Sequence, residues 1–280
     1  MKKLYILLII VFNQINSYSQ IPNTTDKYSR HYNDGAIKIL LDFNSQTFKS
    51  FYENGQVITS GKIDLSKDVP FEDKIDSNEL LAENYSKTGL WKYYYESGAL
   101  SNKGNFTDNK EDGIWVSYYE SGKIYYKGKF TQGNETGKWL TFHENGNIKE
   151  ENNYNKNGEF DGEQKFYYEN GNLSSKQTKE NNKTQGISYI YFENDKIQVK
   201  SMYKDNLLNG TYELFYNNGT LKYIVNYANG EEEGLAKYFY ENGIILSKGR
   251  YHKGKREGVW INYTLNGDIK EKIEYKTEKI

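Results

Sequence analysis

A repeat of about 24 residues runs through most of this 280-residue chain and constrains its fold more than any other feature. Eight copies begin at a glycine, which defines repeat position 1. Position 6 is aromatic and position 12 is leucine or isoleucine in every copy, while position 10 is glycine and position 18 aromatic in seven. Tandem units of this length indicate a structure in which each unit packs on its neighbours. The starting residues are Gly89, Gly113, Gly137, Gly162, Gly186, Gly210, Gly234 and Gly258.

Each copy has the pattern of a β-hairpin. Asn-Gly or Ser-Gly at positions 9 and 10, as in Asn145-Gly146, separates two runs of strand-forming residues. Asn-Gly favours the two-residue type I′ turn, whose central residues both need φ > 0. Such a turn would place position 7 opposite 12, 5 opposite 14, and 3 opposite 16. Positions 3, 5, 7, 12, 16 and 18 would then form the more buried face, and truncating a fully buried Leu221 would cost about 2–4 kcal/mol.

The hairpins predict an all-β fold, an elongated, single-layer, twisted antiparallel meander of tandem hairpin repeats. Sixteen strands spaced about 4.8 Å apart would make a sheet roughly 75 Å long. The composition agrees, since 28 Tyr and a hydrophobic fraction of only 36% suit a thin sheet covered by tyrosine better than a thick core. At position 3 a tryptophan such as Trp91 would lie opposite a glycine, Gly104, so that a large ring covers bare backbone.

The front of the chain is less regular. Residues 51–57, with Gly61 and Ile63 after them, match repeat positions 6 to 18, and residues 32–37 match the turn region alone. We therefore interpret residues 20–63 as degenerate opening repeats that form a cap. Residues 64–88 break the pattern with seven acidic residues and Pro70. This acidic insertion is either a long solvated loop or a separate recognition element.

The N-terminus has the layout of a signal peptide. Lys2 and Lys3 precede an apolar run at residues 4–12, and Ser17 and Ser19 precede a possible cleavage site before Gln20. Nine apolar residues are too few to span a bilayer, which takes about 20 in a helix. We therefore expect residues 1–19 to be removed on export, which leaves the protein periplasmic, on the cell surface or secreted.

The repeat at residues 89–100 and its seven copies resemble the MORN-repeat variant, in the exported bacterial group often labelled antitoxin-like. The resemblance is strong over residues 89–276 and weak over residues 28–63. It implies a fold of tandem hairpins and a role as a scaffold, a protein-binding surface or a lipid-binding surface.

Catalytic chemistry is not indicated. The three histidines, His31, His143 and His252, lie in different repeats, and the chain has no cysteine. We therefore predict no enzyme activity, no metal site and no cofactor. Glutamates at position 8 recur about 10 Å apart, which is too far to share one cation. These residues are Glu96, Glu120, Glu144, Glu169, Glu193 and Glu241.

An aromatic row at position 6 is the candidate binding row, because it lies on a face that is otherwise mostly polar. Such a row binds an extended peptide, a glycan or another protein. The alternative is that the rings lie against lysine stems and merely shield a one-layer sheet. The row comprises Tyr94, Tyr118, Phe142, Tyr167, Tyr191, Phe215, Phe239 and Tyr263.

The function predicted from these features is a non-enzymatic scaffold that presents a sheet to an unknown protein partner outside the cytoplasm. The formal net charge of −1 disfavours nucleic acid and also a membrane surface, although membrane binding is one alternative. The other alternative is an antitoxin-like partner of a toxin. Charged residues along the last strand, residues 269–276, guard its open edge, so we expect a monomer.

Overall fold

The computed structural model describes residues 27–64 and 86–276. The predicted signal peptide lies outside this part of the chain, as does most of the predicted insertion. Every regular element in the described part is a β-strand. The strands are β1 (Lys27–His31), β2 (Ile37–Asp42), β3 (Thr47–Phe51), β4 (Val57–Asp64), β5 (Ser86–Tyr94), β6 (Leu100–Thr107), β7 (Lys110–Tyr118), β8 (Ile124–Thr131), β9 (Asn134–Phe142), β10 (Ile148–Tyr154), β11 (Gly162–Tyr167), β12 (Leu173–Glu180), β13 (Lys183–Tyr191), β14 (Ile197–Lys204), β15 (Leu207–Phe215), β16 (Leu221–Ala228), β17 (Glu231–Phe239), β18 (Ile245–His252), β19 (Lys255–Tyr263) and β20 (Ile269–Tyr275).

The chain divides into two compact units, residues 1–135 and 136–280. In the first unit, strands β1 to β8 pair antiparallel in chain order. In the second unit, β9 to β20 pair in the same way. Antiparallel neighbours need only a tight turn to connect them, which the 24-residue repeat supplies twice. The predicted all-β meander of tandem hairpins is confirmed.

The turn inside each hairpin differs from the predicted one. Between β5 and β6, Gly98 N–H donates to the Tyr95 carbonyl and Tyr95 N–H donates to the Ala99 carbonyl, at 2.9 and 2.8 Å. This is a three-residue turn that ends on a glycine with φ +86° and is followed by a bulge. Asparagine at position 9 acts through its side chain, since Asn145 Oδ1 accepts the N–H of Asn147 at 2.9 Å. The prediction of a type I′ turn at Asn-Gly was wrong, because the asparagine caps the turn and does not adopt φ > 0.

Turns with two left-handed residues do occur, but they lie between the hairpins. Asp108 and Asn109, which join β6 to β7, have φ of 51° and 67°. Lys253 and Gly254, which join β18 to β19, have φ of 47° and 74°. Gly254 N–H also donates to the carbonyl of Glu232, at the corresponding turn edge of the preceding repeat, at 3.0 Å. These short connections fix the hairpins side by side.

The bulge changes the register at the turn end of each hairpin. In β5 and β6, Trp91 faces Gly104, as predicted for positions 3 and 16, and position 5 faces 14 as predicted. However, Leu100 faces Tyr94, so position 12 pairs with position 6 and not with position 7. Two faces follow from this register. The core face carries positions 3, 5, 14, 16 and 18, and the outer face carries positions 2, 4, 6, 12, 15 and 17.

The aliphatic residues at position 12 consequently lie on the outer face, which corrects their predicted place on the buried one. None of them is fully buried, and Ile269 is 54% exposed. Leu221 is half-buried, so the full burial on which its expected truncation cost depended is not met. Burial is concentrated instead at position 3.

The core face is built on tryptophans that lie over glycines of the preceding hairpin. A Cβ placed on Gly104 would overlap the ring of Trp115, and the same holds for Gly249 and Trp260. The ring therefore covers a glycine one hairpin earlier than the sequence suggested. The indole N–H of Trp260 donates to the Arg250 carbonyl at 3.1 Å, and its side chain is fully buried. Trp91, Trp115 and Trp260 each join two hairpins through both packing and a hydrogen bond to a main-chain carbonyl.

Other residues take the tryptophan position in four repeats, and two of these repeats show how the core is filled without an indole. Val225 and Ala236 occupy the equivalent positions and are directly paired, each 1% exposed. Valine here replaces the glycine and alanine replaces the tryptophan, so the larger side chain lies on the other strand. In the fourth repeat Gln164 takes the tryptophan position and is 1% exposed. Its Nε2 donates to the Asn153 carbonyl at 3.0 Å, and its Oε1 accepts the Asn153 N–H at 3.1 Å. The glutamine therefore bonds the carbonyl that the indole bonds elsewhere.

A tyrosine at position 7 forms a second link between hairpins. Its hydroxyl donates to the position-6 carbonyl of the next repeat, as from Tyr216 to Phe239 and from Tyr240 to Tyr263, both at 2.9 Å. In the fifth repeat this position is Phe192, which has no hydroxyl to donate.

Removing the hydroxyl at position 240 and adding one at position 192 should change the free energy of unfolding in opposite directions. We expect Tyr240→Phe to lower the free energy of unfolding by about 1 kcal/mol, because it removes one hydrogen bond to a main-chain carbonyl. Phe192→Tyr should raise it by a similar amount. Urea denaturation followed by circular dichroism measures both. Equal, same-sign changes in the two variants would show that the hydroxyl does not link the hairpins.

The opening hairpin of β3 and β4 has the same turn and the same link. Gly55 N–H donates to the Tyr52 carbonyl at 2.9 Å, and the Tyr52 hydroxyl donates to the Tyr94 carbonyl at 3.2 Å. Asp64 at the end of β4 faces Ser86 at the start of β5. Residues 64 and 86–88 thus belong to strands, and the acidic segment begins and ends where other repeats have a two-residue turn.

Candidate binding face

The position-6 aromatic row lies on the outer face, and all eight rings are half-buried. Lysines lie over some of these rings, with Lys103 Nζ 5.8 Å from the centre of the Tyr118 ring and Lys248 Nζ 5.3 Å from that of Tyr263. Such contacts shield part of a ring and attract the cation to its face. Both features of the row, shielding by lysine and residual accessibility, therefore occur together.

Apolar side chains at position 2 form a more exposed row on the same face. The sequence reasoning described this face as mostly polar apart from position 6, and so it missed them. The signal was available, because five of the eight repeats carry an aliphatic residue at this one position. Exposed aliphatic groups held on a sheet mark a surface suited to binding. They are Leu90 (47% exposed), Ile114 (63%), Ile187 (46%), Leu235 (62%) and Val259 (53%).

The core face holds stacked tyrosines. Tyr223 and Tyr238 stack with ring centres 5.3 Å apart, and the hydroxyls of Tyr238 and Tyr251 lie 3.0 Å apart. Burial raises the pKa of Tyr223 and of Tyr238 above the usual value, and burial together with the Glu111 carboxylate raises the pKa of Tyr93 to about 12. Neutral phenols packed in this way act as a covering layer for the tryptophans.

Cations lie over the tryptophans at two places on the core face. The guanidinium of Arg256 lies 4.2 Å from the Trp260 ring centre, and its Nη1 donates to the Tyr275 hydroxyl at 3.1 Å. Lys87 Nζ lies 4.8 Å from the Trp91 ring centre, and burial lowers the pKa of Lys87. These contacts complete the cover of a one-layer core.

Each histidine has a local structural contact. His143 Nε2 lies 3.0 Å from the Tyr167 carbonyl, which is the acceptor that a position-7 tyrosine bonds in other repeats. His252 Nδ1 lies 3.2 Å from Glu233 Oε1, and His31 Nδ1 lies 2.9 Å from the Gly35 carbonyl. Within residues 27–64 and 86–276, no group of three or more metal-ligating side chains is found.

The position-8 glutamates are all exposed beside their hairpin turns. In the part of the chain that the structure describes, no helix has the length and apolar character needed to cross a membrane. Each unit therefore presents one covered face, one partly exposed face, and two rows of turns.

This arrangement defines a tandem β-hairpin repeat protein. The model of the MORN repeat variant matches eight consecutive segments that together cover more than half of the chain, so the chain belongs to this family. No curated protein sequence matches it. The matched segments are residues 87–108, 111–132, 135–156, 160–178, 184–205, 208–229, 232–253 and 256–277.

Solved structures resemble the chain only distantly. A chain of the TcdB2-TccC3-Cdc42 complex is 12% identical with a TM-score of 0.20, over 90% of this chain and 17% of that one. A chain of the Photorhabdus luminescens Tc holotoxin pore is 11% identical with a TM-score of 0.17, over 92% and 17%. A porin-like protein from Bacteroides uniformis is 8% identical with a TM-score of 0.17, over 91% and 92%. This chain thus spans about a sixth of the first two chains. TM-scores this low do not show that the folds are shared.

Proposed function

We propose that the protein is a non-enzymatic scaffold whose outer face binds another protein outside the cytoplasm. The observation that carries this proposal is the exposed aliphatic row at position 2 beside the half-buried aromatic row at position 6. Both rows are repeated at fixed intervals on strands that are held by tryptophan packing and tyrosine hydrogen bonds. A surface of this kind offers apolar area at little cost in conformational entropy.

The core face is a poor alternative as the binding surface. Its tryptophans are already covered by tyrosines and cations, and a partner there would have to displace these contacts. The location outside the cytoplasm is supported by the signal-peptide pattern of residues 1–19. We further propose that the protein acts as a monomer, with the partner on a sheet face and not on an edge.

Site-specific photo-crosslinking in the native host tests this function. A benzoyl-phenylalanine is introduced at position 6, as Tyr118→Bpa or Phe239→Bpa, and as a matched control at an exposed between-hairpin turn, Asp108→Bpa. We expect a discrete protein adduct from the two position-6 variants, recovered outside the cytoplasm with Gln20 as its first residue. Adducts that form equally from the turn variant, or none from the outer face, would refute the proposed binding surface.

A further inference from the structure

A ladder of lysines runs across the outer face of the first unit. Positions 4 and 15 face each other from strand to strand, so that Lys49, Ser60, Lys92, Lys103 and Val116 are directly opposed in turn on β3 to β7. We call Lys49, Lys92 and Lys103 the lysine ladder. Neighbouring strands are about 4.8 Å apart, so Lys92 and Lys103 lie on adjacent strands and Lys49 lies two strands from Lys92.

The ladder contains like charges in direct contact positions. Lys92 and Lys103 are a cross-strand pair, an arrangement that destabilises a sheet. No carboxylate stands in the ladder itself, and no ion pair is found for Lys49, Lys92 or Lys103 within the described residues. A local rule of sheet stability is therefore broken at this place, which is typical of a functional surface.

Part of the second unit has carboxylates in or beside the same row. There the equivalent row contains Glu151 and Glu213, and Lys200 Nζ lies 3.4 Å from Glu213 Oε2. Lys165 and Lys176 are also directly opposed, but Lys165 Nζ lies 2.7 Å from Glu163 Oε2 on the same strand. Lys237 and Lys248 form a further opposed pair in the second unit, and no ion pair is found for either lysine among the described residues. The first unit differs in that its described part of this row contains no carboxylate at all.

Apolar side chains flank the lysine ladder on both sides. Leu90 and Ile114 at position 2 lie on one side and are 47% and 63% exposed. The rings of Tyr94 and Tyr118 at position 6 lie on the other, half-buried. A ligand for this surface must combine negative charge with apolar groups at short spacing.

We infer that the lysine ladder of the first unit binds an acidic, extended polypeptide segment in which carboxylates alternate with apolar side chains. An extended peptide carries successive side chains to opposite sides about every 3.3 Å, so the carboxylates on one side contact the lysines while the apolar groups on the other side reach one of the flanking rows. This inference rests on the proposed function and names the chemistry of the partner. The formal net charge of the whole chain does not reveal the basic lysine ladder, because carboxylates outside the ladder balance the lysines.

The test uses a fluorescein-labelled twelve-residue peptide of alternating Glu and Val, titrated with the full chain and followed by fluorescence anisotropy. A Gln and Val peptide serves as the uncharged control, and phosphatidylserine vesicles serve as a competing surface. We expect binding of the acidic peptide only, with affinity that falls when NaCl is raised from about 50 to 200 mM, since salt screens exposed charges. Equal binding of the uncharged peptide would overturn the inference. Displacement of the acidic peptide from the protein by the vesicles would overturn it as well.

A charge reversal makes the test specific for the ladder. Lys92→Glu should weaken binding of the acidic peptide at least tenfold while it raises the thermal midpoint, because the new carboxylate pairs with Lys103 across the strands. The matched control is Lys176→Glu, at the opposed row in the second unit, and we expect it to change the affinity less than twofold. Lys92→Gln, which keeps the size and removes the charge, should lose affinity as well.

Equal losses of affinity in Lys92→Glu and Lys176→Glu would show that peptide binding depends on overall charge and not on the ladder. Opposite effects on binding and stability also exclude simple unfolding as the cause. Crosslinking of a partner through Tyr118→Bpa together with no binding of the acidic peptide would disprove the acidic chemistry alone and leave the scaffold function standing.

Discussion

Gly249→Val should be among the most destabilising single changes in the second unit, with a loss of at least about 3 kcal/mol in the free energy of unfolding. Any Cβ at this position overlaps the ring of Trp260, which is fully buried and cannot move without breaking its hydrogen bond to the Arg250 carbonyl. Trp260→Ala alone should cost about 3–5 kcal/mol, because it leaves a cavity of nearly a whole indole.

The two changes together should cost much less than their sum. Gly249→Val combined with Trp260→Ala would reproduce the pair formed by Val225 and Ala236 one repeat earlier, which is buried and directly opposed. We expect a coupling free energy of at least about 2 kcal/mol in the double-mutant cycle, since the groups are in contact.

Denaturation followed by far-ultraviolet circular dichroism measures all four proteins. Val259→Ala, next to Trp260 but 53% exposed, is the control and should change little. Additive losses would mean that the ring does not lie on Gly249.

Replacing Gln164 by leucine should cost about 2–4 kcal/mol although it makes a buried position more apolar. Gln164 satisfies both the N–H and the carbonyl of Asn153 and also bonds the Gly162 carbonyl at 3.3 Å. Leucine would leave these main-chain groups without partners, and an unsatisfied buried group costs about 1–3 kcal/mol.

The control for this prediction is Gln198→Leu, at the half-buried bulge position of β14, which should change stability by less than about 0.5 kcal/mol. The same denaturation experiment applies to both variants. A neutral or stabilising effect of Gln164→Leu would show that burial alone, and not the hydrogen bonds to Asn153, holds the fourth repeat in place.

The period and hairpins of this fold could be predicted from sequence because the repeat places aromatic, glycine and aliphatic residues at fixed positions. The pairing of positions 3 with 16 and 5 with 14 followed correctly. The turn type did not follow, because Asn-Gly is compatible with two turns and the choice depends on whether the asparagine bonds ahead, as Asn145 does to Asn147. That single error moved position 12 to the wrong face.

Two features, one on the outer face and one on the core face, could not be obtained by counting residues over the whole chain. The lysine ladder depends on which strands are adjacent, and the net charge of −1 averages it away. The partner of each tryptophan lies in the preceding hairpin, so it required the register between repeats. The position-6 row was placed on the outer face from alternation alone, and its role in binding remains a prediction.

The division into a covered core face and an accessible outer face is the central claim, and thiol labelling tests it directly. The chain has no cysteine, so single cysteines can be introduced without background. Ser201 on the core face is 3% exposed, and the next residue, Met202 on the outer face, is 46% exposed. We predict that Met202→Cys reacts with a maleimide at nearly the rate of a free thiol and that Ser201→Cys reacts at least about 100-fold more slowly in the folded protein, because local opening must precede reaction. Equal rates, or faster reaction at position 201, would contradict the assignment of the two faces.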